Sequence, residues 1–391
     1  MRESESRSRR EFLLTAGKGL GTVALAAQLP GLVGCGQAEQ GASGDETTDG
    51  PTAEHTSGGE SRSIGFALCG LGGLSTNQIA PALRKTRHAR LAGAVTGTPA
   101  KADAWADEHG IPIGSIYHYD DMHQLAEDPD IDVVYVVTPN ALHHRHTLAA
   151  ARAGKHVLIE KPMAISVGEC EEMIQVGRQE GVKLAIAYRL QFEPHHLECM
   201  RLSRERVFGE IKTVEAGLAF RIGDPDQWRL RAELAGGGAL MDVGIYALQA
   251  CRYLTGEEPV QLSAIETKTD PVKFAEVDET IAWQMTFPSG IIATCTTSYN
   301  VSGINRFRAY GETGWFGMEP AFSYGGLQGQ RSDDRPLRFD QIDHFAAEMD
   351  DFSLCIMEDR ESKVAGEEGL RDMRVIERIY ESIRLGQSVT L

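Results

Sequence analysis

The chain has 391 residues, of which 42% are hydrophobic and 24% charged. That is enough for two domains with their own cores, at a composition ordinary for a soluble globular protein. A formal net charge of −17 argues against nucleic acid or an anionic membrane surface as a partner, since both repel it.

At the N-terminus, "SRREFLL" places Arg9 and Arg10 ahead of an apolar stretch from Phe12 to Leu32. A basic start, a modest apolar core and small residues at its end describe an export signal rather than a spanning helix, and the paired arginines resemble the Tat type. Gly17, Gly19, Gly21 and Pro30 count against an ordinary amphipathic first helix. "LVGC", Leu32 to Cys35, resembles a lipobox, which would leave Cys35 as a lipidated first residue at the periplasm or cell envelope and as the one expected membrane attachment. From 36 to 61 the chain is Gly, Ser, Thr, Glu and Asp with almost nothing apolar. Such a segment cannot bury enough surface to offset its ordering entropy and is expected to be a flexible acidic tether. Six cysteines remain beyond it, with no CxxC pair and mostly apolar neighbours, so they read as small buried residues, neither a disulfide framework nor a zinc site.

"SIGFALCGLGGLSTNQIAPAL", Ser63 to Leu83, is a strand, a glycine turn and a helix start. Gly70 permits the tight turn and Gly72 lets the backbone approach a pyrophosphate at the helix N-terminus, followed by Gly73, Leu74 and Ser75. A second strand near Leu91 to Val95 ends in "VTGTPAK". An acidic residue there would favour NAD; instead Thr96 and Thr98 offer hydroxyls and Lys101 a positive charge, which favours NADP. "DVVYVVTPN", Asp132 to Asn140, is a buried parallel strand, and His143 to Gly154 the helix after it. The histidines at 143, 144, 146 and 156 are crowded but lack acidic or cysteine partners at ligand spacing, so no metal is expected. In "GKHVLIEKP" a buried strand runs into Glu160 and Lys161, with Pro162 biasing Lys161 to an extended backbone. Ligands of such sheets bind outside the carboxyl ends of the strands, so Lys161 is placed where cofactor and substrate meet, or else forms a structural ion pair with Glu160.

After Val182 to Pro194 the pattern changes to a helix over about 195–207 and strands of alternating character. Glu279 to Tyr299 has apolar residues at Ile281, Trp283, Met285 and Phe287 and a turn at Pro288–Gly290, which is an antiparallel hairpin. Between them "AGGGALMDVGIYALQACRYLTG" leads three glycines into a helix ending at Gly256. Asp242 and Tyr246 share a face of it, as a proton-transfer set beside an incoming lysine or as core packing around a buried tyrosine.

The glycine turn at 70–75, "TPN" with His143, "EKP" at 160–162 and "MDVGIY" at 241–246 together resemble the Gfo/Idh/MocA oxidoreductases, in particular the bacterial glucose–fructose oxidoreductase branch. The resemblance spans nearly all of residues 63–390. It implies an α/β Rossmann domain with a doubly wound parallel sheet over 62–187, after the signal (1–34) and linker (35–61). An α+β domain with a large, mostly antiparallel sheet follows over 188–391 and joins subunits into a homodimer or homotetramer. It also implies that Lys161, Asp242 and Tyr246 are catalytic. Gly70, Gly72, Gly73, Leu74, Thr96, Lys101, Pro139, Asn140, His143, Glu160, Lys161, Arg189, Trp228 and Arg229 would line the NADP site. The expected activity is reversible hydride transfer between sugars: an aldose is oxidised at C1 to the lactone and the hydride passes through bound NADP to a second sugar or carbonyl. An aldose dehydrogenase that releases NAD(P), and a non-catalytic sugar-binding lipoprotein, are the other readings.

Overall fold

Strand β1, Ile64–Cys69, is buried at all six positions, as a strand covered on both faces of a parallel sheet must be. The computed structural model describes residues 63–391; the export signal, Cys35 and the acidic tether expected from the sequence lie outside the described residues. After β1, Gly70 takes a φ of +102°, and a Cβ there would stand 2.9 Å from the Val137 carbonyl oxygen, so glycine alone fits. A π-helical turn, Ser75–Ile79, then runs into α1, Ala80–Leu83, and the Ser75 hydroxyl donates back to the Gly70 carbonyl at 2.5 Å.

The chain continues through β2 (Ala89–Val95), α2 (Pro99–His109), β3 (Ile116–Tyr117), β4 (Val133–Val136), α3 (His143–Arg152), β5 (His156–Ile159), α4 (Val167–Glu180) and β6 (Leu184–Ile186). These strands make one parallel sheet in the order β3-β2-β1-β4-β5-β6. The order reverses between β1 and β4, which opens a crevice at their carboxyl ends.

Helix α5, Pro194–Arg204, leads to a second sheet built from β7 (Ile211–Ala219), β8 (Gln261–Thr267), β9 (Thr280–Thr286), β10 (Ile292–Ser298), β11 (Asn305–Gly311), β12 (Trp315–Met318), β13 (Gly329–Arg331) and β14 (Val389–Thr390). Its order is β13-β12-β11-β7-β10-β9-β8-β14, and β7 with β10 is the parallel pair in an otherwise antiparallel sheet. The hairpin expected over Glu279–Tyr299 is β9–β10, with Ile281, Trp283 and Met285 buried on its inner side. Between β7 and β8 lie α6 (Ala232–Ala235), a second π-helical turn at Leu240–Gly244, and α7 (Ile245–Thr255), which packs across β7, β10 and β11.

Helix α8, His344–Met357, returns to the first sheet and packs on α1, β2 and the turn before α1, while α9, Gly366–Leu385, lies on β8 and against α4. Helix α9 thereby touches strands of both sheets, β6 and β8. All six cysteines among the described residues are buried free thiols.

Candidate active site

The crevice at the carboxyl ends of β1, β4 and β5 is a cleft of about 420 Å³. Every candidate residue named from the sequence lines it: Gly70, Gly72, Gly73, Leu74, Thr96, Lys101, Pro139, Asn140, His143, Glu160, Lys161, Arg189, Trp228, Arg229, Asp242 and Tyr246; Leu71, not named from the sequence, lines it with them.

At one end stand the glycine turn and the end of β2. Thr96 is buried, and its hydroxyl oxygen accepts from the Thr98 N–H at 3.3 Å. Lys101, at the start of α2, donates from Nζ to the Leu71 carbonyl at 3.2 Å. Tyr119 closes this end; a Cβ at Gly97 would meet its ring at 3.0 Å, and burial pushes its phenol up to about 12. His146 behind it stacks on Tyr119 with ring centroids 4.8 Å apart and contacts Thr138 Oγ1 at 3.1 Å.

At the other end the Lys161–Pro162 peptide is cis, a feature the extended-backbone reading of Lys161 did not contain. The side chains of Glu160 and Lys161 part company here, so the alternative of an ion pair between neighbours is not what the structure contains. Lys161 Nζ donates to the Asp242 carbonyl at 2.5 Å and to its Oδ1 at 3.1 Å, and stands 4.9 Å from the Tyr246 ring centroid. Glu160 turns the other way and accepts from the Tyr135 hydroxyl at 2.9 Å.

The second domain supplies the rest. Asp242 sits in the π-helical turn, and its Oδ2 accepts from Arg229 Nε at 2.9 Å and from the Tyr299 hydroxyl at 3.0 Å. The turn is anchored by Asp278, whose carboxylate accepts from the N–H groups of Gly238 (2.6 Å) and Leu240 (2.8 Å) and from the Tyr380 hydroxyl (2.7 Å). A Cβ at Gly238 would lie 2.1 Å from the Asp278 carbonyl oxygen, which explains the last glycine of the run. Burial by itself would raise the Asp242 carboxyl, but Lys161 and Arg229 on either side hold it well below the usual carboxylate range. Burial opposes the charge on Lys161 too, and Asp242 with Tyr246 raises it above the ordinary lysine value. Both groups are therefore ionised at neutral pH.

Several residues named in advance have particular attachments. Arg229 joins Asp242 and stacks 4.6 Å from the Trp228 ring centroid, so it belongs with the carboxylate as well as with the cleft wall. His143 has both ring nitrogens 2.8 Å from backbone carbonyls, those of Pro162 and Thr138, which clamps the turn after β5 to the end of β4. Asn140 donates to the Ala235 carbonyl at 2.9 Å and ties the first domain to the second. Arg189 donates to the Phe322 carbonyl at 2.6 Å and lies 5.3 Å from the Tyr246 ring centroid and 4.9 Å from that of Tyr324. Tyr299, Tyr324, Phe345 and Tyr119 were not picked out from the sequence; each reaches the site by folding, with no spacing that marks it, whereas Thr138, which also lines the cleft, opens the "TPN" motif without having been named as a site residue.

Taken together the site has a backbone cradle with hydroxyls and one amine at one end, and a lysine, a carboxylate and a phenol at the other. Such a set can hold a dinucleotide and move a proton at a carbinol.

Comparison with known proteins agrees. Residues 64–188 match the model of the GFO/IDH/MocA oxidoreductase family with its NAD-binding Rossmann fold, and residues 196–317 match the GFO/IDH/MocA C-terminal domain. The chain is 34% identical over 349 residues to a D-xylose 1-dehydrogenase [NADP(+)] of Haloarcula marismortui, covering 84% of this chain and 93% of that one. It is 30% identical over 333 residues to D-xylose 1-dehydrogenase (NADP(+)) 2 of Haloferax volcanii, covering 83% and 99%. Among solved structures it resembles the aldose–aldose oxidoreductase of Caulobacter crescentus complexed with glycerol, with 45% identity, a TM-score of 0.81, and coverage of 84% of this chain and 100% of that one.

Proposed function

Since the chain belongs to the GFO/IDH/MocA family of oxidoreductases, we propose that it is an exported, NADP-dependent sugar oxidoreductase that oxidises an aldose at C1 to the lactone and passes the hydride to a second sugar or carbonyl. The observation that carries this reading is the Lys161–Asp242–Tyr246 set at the floor of the cleft. The similarity to NADP-dependent xylose dehydrogenases and to an aldose–aldose oxidoreductase supports it.

The cleft fits the cofactor. The Gly70–Leu74 turn brings backbone N–H groups to a helix start, the setting for a pyrophosphate. Thr96, Thr98 and Lys101 form a hydroxyl-and-amine set with no carboxylate among them, the chemistry a 2′-phosphate needs. When bound, NADP accepts a hydride from the anomeric carbon and can give it to a carbonyl.

Tyr246, entering as the phenolate, takes the proton of the C1 hydroxyl as the C1–O bond gains double-bond character, and is left as the phenol. The Lys161 ammonium beside the ring stabilises the negative charge developing on the oxygens. Asp242 holds Lys161 in place and presents its carboxylate edge to the cleft, its own orientation fixed by Arg229 and Tyr299. In the return half-reaction the same phenol gives the proton to the acceptor oxygen.

Export explains why the two half-reactions belong together: outside the cytoplasm there is no pool of free NADP, so a cofactor carried out in the folded protein has to be recycled where it sits. The twin arginine and Cys35 support that location. Exposed Ile265 and Ile292 on the outer face of the second sheet support assembly through that face as a dimer or tetramer.

The test is the near-ultraviolet absorbance of reduced nicotinamide in protein purified without added cofactor. A band that rises on adding an aldose and falls on adding fructose is the expected result. Activity only when NADP is supplied would make the chain a conventional dehydrogenase, the second reading, which its similarity to the two xylose 1-dehydrogenases favours. No activity in either form would leave a sugar-binding lipoprotein.

A further inference from the structure

Behind the cleft wall, two carboxyl groups that the mechanism does not use as acids or bases meet at one phenol oxygen. Tyr135 of β4 is fully buried, and its hydroxyl oxygen lies 2.9 Å from Glu160 Oε1 and 3.1 Å from Glu348 Oε1. Glu160 and Glu348 are both buried, and they come from β5's carboxyl end and from α8. Proton counting decides what this cluster is. A phenol has one proton and can donate to one acceptor. If both carboxyls were ionised, one of the two contacts would set a carboxylate oxygen against the lone pairs of the phenol, with two buried like charges either side of it. Both contacts are hydrogen bonds only if one carboxyl carries a proton of its own.

The surroundings say which one. Glu160 accepts a second hydrogen bond, from the Lys161 backbone N–H at 3.3 Å, and has Lys161 and Arg189 as positive neighbours. Glu348 has a second oxygen, Oε2, that is buried and has no hydrogen-bond partner among the described residues. Of the groups that act on it most strongly, Glu160 and Asp343 are acidic, Arg189 is a cation, and the Tyr135 hydroxyl lies within hydrogen-bond distance of its other oxygen. An ionised carboxylate would leave a bare charge at Oε2, whereas a neutral acid leaves a carbonyl oxygen, which is far cheaper to bury.

We propose that Glu348 is a neutral carboxylic acid through neutral pH, and that the chain Glu348 O–H to Tyr135 O–H to Glu160 is a positioning device that keeps Glu160 the ionised member, fixed on the cleft wall next to Lys161. Burial and the neighbouring Glu160 push the Glu348 carboxyl well above its usual range, in the same direction as the proton count. The positioning half rests on the function proposed above; the protonation half does not.

The test separates the two. Infrared spectra of the full chain at neutral pH are expected to show the carbonyl stretch of a protonated carboxyl, shifted in D₂O and missing from E348Q, whose amide can donate to Tyr135 as the acid does. Absence of such a band from the unsubstituted protein overturns the proposal without any variant having to fold, and a band that survives unchanged in E348Q overturns its assignment to Glu348. Linkage gives a second readout. A carboxyl whose folded value is raised binds more protons in the native state, so its stabilisation is present at low pH and is lost as pH rises through the folded value. The difference in urea midpoint between the unsubstituted protein and E348Q, in which the histidine contributions cancel, should accordingly move against the unsubstituted protein as pH rises; a difference independent of pH overturns the proposal. For positioning, Tyr135→Phe is expected to lower kcat about tenfold with the sugar KM little changed, and an unaltered kcat overturns that half. These spectroscopic and stability readouts stand even if no sugar is turned over, so failure of the functional reading and failure of this one are distinguishable.

Discussion

The two ends of the cleft are built on opposite plans. Around Gly70 the walls are mostly main chain and neutral hydroxyls drawn from a stretch of about thirty residues, 70–101, closed by Tyr119, and the charged group of that stretch on the cleft, Lys101, rests on a carbonyl. Around Lys161 the walls are charged side chains drawn from both domains, and each is held by the next: Lys161 by Asp242, Asp242 by Arg229 and Tyr299, and the turn under Asp242 by Asp278. A site assembled from independent local contacts should respond to substitution in small separate steps, whereas a mutually held cluster should fail as a unit.

The largest effect is expected at the held end. Lys161→Met and Tyr246→Phe should each lower kcat by about 10²–10⁴-fold, the range for loss of a positioned acid–base group, with cofactor absorbance retained. Undiminished turnover by Tyr246→Phe would remove that residue from the mechanism. The double variant should be scarcely worse than the poorer single, and multiplicative losses would show that the cluster is not a unit.

A smaller step is expected at Tyr299→Phe. It removes one hydrogen bond to a carboxylate, worth about 1.5–3 kcal/mol, and should cost about tenfold or more in kcat; an effect confined to KM would show that Asp242 is held without it. At the other end, Lys101→Ala should raise the KM for NADP by about tenfold, equivalent to ~1.4 kcal/mol, while leaving that for NAD alone. An equal rise for both cofactors would mean that Lys101 supports the turn through Leu71 instead of reading a phosphate.

The smallest effect separates the ends by pH. His146 stands behind Tyr119 and His344 beside Arg189, and burial lowers both imidazoles to about 4. The unfolded chain binds protons near 6.5 that the folded one refuses until about 4, so stability is complete above 6.5 and declines as pH falls between these values. The urea midpoint should be lower at pH 5 than at pH 7.5. His146→Gln should recover part of that loss, and an unchanged slope would show that His146 is not among the groups responsible.

The same division governs what the sequence reveals. The Gly70 end was legible because a strand, a turn and a helix start are contiguous and their glycines have a steric cause. The position of Lys161 was legible because it ends a buried parallel strand, where such sheets open to ligands, although the sequence alone left a structural ion pair equally open. Its true partner was not: adjacency suggested Glu160, yet neighbours in an extended segment point to opposite sides, and the structure gives Lys161 to Asp242 and Glu160 to Tyr135. Helical spacing put Asp242 and Tyr246 on one face but left core packing open, and it was the resemblance that implied a role for them; Asp242 proves to lie in a π-helical turn. Tyr299 follows β10 and looks like any strand-end aromatic; nothing short of the β7–β10 pairing and the packing of α7 on it predicts that its hydroxyl meets Asp242. The order of the second sheet was hidden for the same reason, since the parallel β7–β10 contact links segments about eighty residues apart.

The π-helical turn at Leu240–Gly244 also has a meaning in terms of reading frame. A regular helix advances about 100° per residue, and a π turn is an α-helix carrying one extra residue, absorbed locally. Asp242 lies within that extra turn and Tyr246 just beyond it. Deleting Val243 alone would thus alter no side chain that touches the cleft, yet it would swing Tyr246 about 100° away from Lys161. The candidate site is in this sense stored as an insertion, and a folded Val243 deletion that still turned over substrate would show that the count does not matter.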